Sequence, residues 1–155
     1  MNAYMIVKTL HVISATILFG TGIGIAFFKW IVDRSGDVAS IRVVAERVVI
    51  ADWVFTAPAV VVQMISGLYL ALTAGFSMTH GWLACAIVLF LVAGACWIPV
   101  VVLQIRLRDL ARHAHESGQP LPDRYRSMSR IWFWLGMPAF GSLVVIYWLM
   151  VAKPF

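Results

Sequence analysis

The chain has 155 residues, 62% of them hydrophobic and 12% charged, with a mean hydropathy of +0.90. A water-soluble domain carries about 25% charged residues, so this chain lacks the polar surface to cover a soluble body. Disorder, nucleic-acid binding and a secreted disulfide scaffold are excluded despite the net charge of +5, because basic residues in a membrane protein report orientation.

Four apolar runs follow in chain order. The first, about 5–28, closes on Lys29, Trp30, Asp33 and Arg34. The second, about 48–74, comes after a polar stretch with Arg42, Glu46 and Arg47. The third, about 82–105, meets Arg106, and the fourth, about 131–151, ends at Lys153 and Pro154. Each reaches the ~20 residues that carry a helix across a ~30 Å hydrocarbon core, and each is too long for a barrel strand. The fold class is therefore an all-α integral membrane four-helix bundle, one transmembrane domain over 1–155.

Charge predicts the sidedness. Ten of the twelve basic residues lie in 29–47 and 106–130, with Lys8 and Lys153 at the other end and no Lys or Arg in 75–81. The positive-inside rule places loops 29–47 and 106–130 in the cytoplasm and both termini on the outer side. The location expected is a bacterial-type inner membrane, with the lipid bilayer as the first partner. Trp30, Trp53, Trp132 and Trp134 fit an inner interfacial belt, Trp82 and Trp148 an outer one, and Trp97 falls nearer mid-membrane. The first run has no basic start and exceeds the h-region of a removable signal. His113 and His115 read as the end of a helix prolonged from the third span, followed by a turn, in a solvated setting. Cys85 and Cys96 lie in apolar runs and read as small core residues rather than a bridge.

Within the spans, Gly20 and Gly24 form a small-xxx-small face, and Gly67, Gly94, Gly136 and Gly141 offer similar points of helix approach. Pro58, Pro99 and Pro138 each remove one intrahelical hydrogen bond. Asp52 reaches the interface or pairs with a basic residue such as Arg47, and Gln63, lying deeper, bridges helices. No acid–base pair, nucleophile triad, phosphate loop or Cys-x-x-Cys is present.

His11 stands two turns into the first span, with Lys8 and Ser14 on the same face. Ionisable residues at such depth face the bundle interior or a watery cavity. A neutral imidazole there serves as a metal or haem ligand, a proton carrier, or a hydrogen bond to another helix. Lys8 either joins it or snorkels outward. His80 falls on the same side in the short loop, near Met5, Met78 and Met150, a donor set that suits copper.

Several segments carry a family resemblance: Lys8-Thr-Leu-His11, Leu18-Phe-Gly20-Thr-Gly22, Thr56-Ala-Pro58-Ala, Ser66-Gly-Leu-Tyr69-Leu, Gly81-Trp82-Leu and Val151-Ala-Lys153-Pro-Phe155. In that order the chain resembles domain of unknown function 2269, a family of small integral membrane proteins. More distantly it resembles HemJ-type protoporphyrinogen oxidases and CopD-type copper-resistance membrane domains. The HemJ-type resemblance implies haem b at the histidine of Lys-x-x-His, which carries over to His11 and Lys8 alone. Where that pattern has a later lysine and histidine, this chain has about Ala86 and Trp97, which argues against porphyrinogen oxidation. The expectation is a redox or accessory subunit with haem b at His11, meeting a redox partner or a homo-oligomer. The alternatives are a copper-handling component using His11 and His80, and a cofactor-free scaffold.

Overall fold

The computed structural model describes residues 2–79 and 81–154, and helices account for every regular element among them. Helix α1 spans Ala3–Ser35, opened by Asn2, whose side chain accepts the Tyr4 amide at 3.2 Å. Gly36, at φ 71°, ends it. Helix α2 spans Val38–Ala51 behind the cap Asp37, which accepts the Ser40 amide at 3.0 Å. A π-helical turn, Asp52–Thr56, leads without a break into α3, Ala57–Thr73. Helix α4 spans Gly81–Ser117 and α5 spans Asp123–Ala152.

Counting α2, the π turn and α3 as one rod, four rods among the described residues are long and apolar enough to cross a membrane. The all-helical, four-span architecture expected from hydropathy is therefore observed. The rods run well past the apolar runs. The stretch 29–47, expected as a loop, is helical except near Gly36; in 106–130 the helix prolonged from the third span is observed through Ser117, and after the turn at 118–122 the chain is helical again. Hydropathy drops at the first charge, yet Arg, Glu, Ala and Leu still favour helix, so the backbone continues until a glycine takes positive φ. Gly118, at φ 65°, does for α4 what Gly36 does for α1.

Helix α4 packs along α5, α1 along α3, and α2 along α4, whereas α3 and α4 share no comparable interface. Near the termini the bundle is thus two helix pairs, and the other end joins them. The tightest packing lies at that joined end, around Ile41, Ala45, Leu107, Ala111, Tyr125, Met128 and Trp132. Outward surfaces are apolar: Leu91 is 65% exposed, Ile98 64% and Trp134 69%. Such an exterior is stable only against hydrocarbon.

Two sequence expectations change here. A Cβ on Gly20, Gly24, Gly94, Gly136 or Gly141 would meet nothing within 4 Å, so these glycines do not mark close helix approach within the chain. Gly67 does, and what it meets is the His11 ring. Trp132 is buried, not an interfacial anchor, because it packs over the ammonium of Lys29.

Candidate functional site

His11 of α1 sits against α3 in a closed chain of neutral hydrogen bonds. The Gln63 side-chain nitrogen lies 3.0 Å from His11 Nε2, and the Ser66 hydroxyl lies 2.8 Å from Nδ1. An amide nitrogen can only donate, so Nε2 accepts and carries no proton. The ring proton is then on Nδ1 and is given to Ser66 Oγ, which in turn donates to the carbonyl of Val62. Ser14 donates to Gln63 Oε1 at 2.5 Å, closing the set. Gly67 makes room: a Cβ there would lie 3.1 Å from His11 Cε1. The bridging role expected of Gln63 is observed, and Ser14, Ser66 and Gly67 complete it.

Lys8 is exposed one turn nearer the N-terminus and does not join this network. His80 lies outside the described residues. Among the described residues, no group of three His, Cys, Asp or Glu side chains comes together to hold a metal. His113 and His115 are exposed at the end of α4, as expected. Cys85 and Cys96 are free thiols.

A second polar cluster surrounds Asp52 at the π turn. Asp52 is 6% exposed and makes no ion pair among the described residues, so the expected pairing with Arg47 does not form. Its carboxyl faces Thr56 on its own rod and Trp97 and Gln104 on α4. The mid-membrane tryptophan thus has a polar neighbour. Asp52 Oδ2, Thr56 Oγ1, Trp97 Nε1 and Gln104 Oε1 are all buried without a well-formed hydrogen bond. The π turn has a local cause: Pro58 follows it, and a proline ring clashes with the carbonyl four residues earlier unless the turn widens.

A third cluster ties α1 to α5 at the joined end. Lys29, only 2% exposed, ion-pairs with Asp33 and reaches Ser129 at 3.2 Å and Tyr125 at 3.3 Å. Tyr125 donates to Asp33 Oδ1 at 2.7 Å and Ser129 donates to Oδ2 at 2.6 Å. The Lys29 ammonium also sits 5.2 Å from the Tyr125 ring and 5.1 Å from Trp132. Lys29, Asp33, Tyr125 and Ser129 are hydrogen-bonded to one another across α1 and α5, which marks a structural clamp, and among the described groups beside them only Trp132 Nε1 is buried without a partner.

The sequence profile of DUF2269, described as a predicted integral membrane protein, matches residues 5–154. The chain belongs to the DUF2269 family. Nothing among curated proteins and nothing among solved structures matches it. This DUF2269 protein therefore carries its functional argument in its own three clusters. Of these, the His11 network alone presents an unprotonated nitrogen ligand.

Proposed function

We propose that this DUF2269 protein is a haem b-binding redox or accessory subunit of a bacterial-type inner membrane, with His11 as the iron ligand. The observation that carries the reading is the tautomer of His11. A metal-ligating histidine gives its second ring N–H to a fixed acceptor, which orients the ring and raises its basicity. Ser66 supplies that acceptor at Nδ1, so the lone pair stays on Nε2. The group at Nε2 is the Gln63 amide, a neutral side chain that a stronger ligand displaces. Lys8, exposed on the same helix face one turn away, supplies a cation for the carboxylates of the group. Haem iron, when bound, supplies one-electron chemistry; the chain supplies the ligand, its orientation and an apolar surround. The basic loop ends lie in the cytoplasm in this reading, which puts His11 in the outer half.

One observation favours a cofactor-free reading instead. Both ring nitrogens of His11 are already bonded to α3, so the residue also works as a staple between helices. An absorption spectrum separates the two. Protein purified after expression with ample haem should show a Soret band that His11→Ala abolishes. No Soret band, after expression or after reconstitution with haem, overturns the haem reading and leaves the staple.

A further inference from the structure

Arg130 is the last charged residue of α5 before Lys153, so it stands where the fourth apolar run begins. A groove of about 590 Å³ runs along the helix at this level, lined by Ser127, Arg130, Ile131, Trp134 and Leu135. These residues recur at spacings of three and four, which puts them on one face of α5. The face is graded along the helix axis. The turn nearer the α4–α5 connection is polar, and the next turn offers Ile131, 53% exposed, and Trp134, 69% exposed. No carboxylate answers the arginine: among the described residues Arg130 forms no ion pair, and Arg126, one turn before it, forms none either. Along α5 the nearest carboxylic side chain is Asp123, seven residues away, about 10 Å by helical rise. The Ser127 hydroxyl is free as well. Those of Ser142 and Thr73 turn back to the carbonyl four residues earlier, whereas the Ser127 side chain makes no hydrogen bond among the described residues.

We propose that this face of α5 is a docking site for one anionic phospholipid of the surrounding bilayer, with the phosphate at Arg130 and Ser127 and an acyl chain over Ile131, Trp134 and Leu135. The planar guanidinium fork meets the two free oxygens of a phosphodiester, and the serine hydroxyl adds a further hydrogen bond. The apolar turns continue the match, because half of a ~30 Å hydrocarbon core corresponds to about ten helical residues. Residues 131–141 supply that length without a charge. A Cβ on Gly141 would meet nothing within 4 Å, so the chain leaves the end of this track open. A second copy of the chain fits poorly, since two such faces would bring arginine against arginine. A free anion would leave the tryptophan uncovered. A zwitterionic headgroup would bring its own cation toward Arg130 and Arg126, so a net negative one is preferred. The site stands apart from the haem reading, because α1 and α3 hold His11 between them.

Native mass spectrometry of the full chain, released from detergent after titration with phosphatidylglycerol or phosphatidylcholine, tests this. The wild type should retain one phosphatidylglycerol at concentrations where phosphatidylcholine is lost. Arg130→Gln should weaken that retention about fivefold, the worth of one arginine beside an anionic lipid surface. Trp134→Ala should weaken it through the lost acyl contact. Arg130 and Trp134 are both exposed, so neither replacement disturbs the packing of the bundle. Arg108→Gln is the control, since Arg108 already pairs with Asp109, and it should bind as the wild type does. Equal retention of the two lipids, phosphatidylglycerol binding unchanged in Arg130→Gln, or a lipid-free dimer in place of the lipid adduct would each overturn the proposal.

Discussion

Gly67 and His11 are in contact such that a methyl group on the glycine would sit 3.1 Å from the imidazole Cε1. The ring cannot retreat freely, because Gln63 and Ser66 hold both of its nitrogens. Gly67→Ala should therefore destabilise the α1–α3 pair. Overpacking of this kind costs about 1–3 kcal/mol, against a helix-propensity gain of about 1 kcal/mol. Gly94→Ala is the control, since nothing lies within 4 Å of its Cβ position. Thermal unfolding in detergent should show Gly67→Ala below wild type and Gly94→Ala at or above it.

Ser66 offers a sharper test of the site, because it touches His11 only through Nδ1. If His11 ligates haem, Ser66→Ala should weaken haem affinity about 10–100-fold while leaving the Soret band in place at saturating haem. If His11 is only a staple, the variant loses an interhelical hydrogen bond worth about 0.6 kcal/mol and no haem titration is seen in either protein. Titrating haem into the purified chains and following the Soret absorbance distinguishes these results.

Much of this architecture is legible in the sequence, for a simple reason. A bilayer demands about 20 apolar residues per crossing, so hydropathy alone finds the four spans. His11 and Gln63 stand out because polar residues are rare at that depth. Ser66 and Gly67 do not stand out, since only the pairing of α1 with α3 brings them to the imidazole. Lys29 follows an apolar run and so reads as the first residue of a loop; helix continuation through Ser35 turns it inward instead. Asp52 stands out by its charge, but its neighbours Trp97 and Gln104 on α4 do not, because a π turn shifts the helical register and spoils face arithmetic. One signal was available. Asp52, Thr56, Gln63 and Ser66 recur at spacings of four, seven and three along an apolar rod, which places polar groups on its inner face.

The Lys29–Asp33 clamp makes a prediction about unequal ion pairs. Lys29 is buried, and removing one partner of a buried pair costs about 3–5 kcal/mol, because the other charge is left without compensation. Arg42–Glu46 is an i,i+4 pair with side chains 30% and 25% exposed, and such a pair is worth about 0.3–0.5 kcal/mol. Unfolding in mixed micelles should therefore rank Lys29→Met far below Arg42→Met. Adding Asp33→Leu to Lys29→Met should recover part of the loss and no more. Tyr125 and Ser129 both donate to Asp33 and would then lack an acceptor. Equal effects of the two single variants would show that the clamp does not hold α1 to α5.

Asp37, in the connection between α1 and α2, gives the pH dependence. Hydrogen bonds from the Ser40 hydroxyl and then the Ser40 amide hold its carboxyl below the usual carboxylate range, with smaller help from the Ala39 amide and His115. A carboxylate with a lowered folded-state pKa contributes its stability above the unfolded value of about 3.9. That contribution fades as pH falls through the folded value, when the protonated acid no longer caps the helix. The start of α2 should thus stay closed down to about pH 4 and open below it. Asp37→Asn keeps an acceptor for the Ser40 amide and should flatten this dependence, while Asp37→Ala should loosen the turn at every pH. Hydrogen exchange at the Ser40 amide, followed from neutral to acid pH, reads the opening directly. Protection that is lost at the same pH in wild type and Asp37→Asn would show that another group governs the acid response.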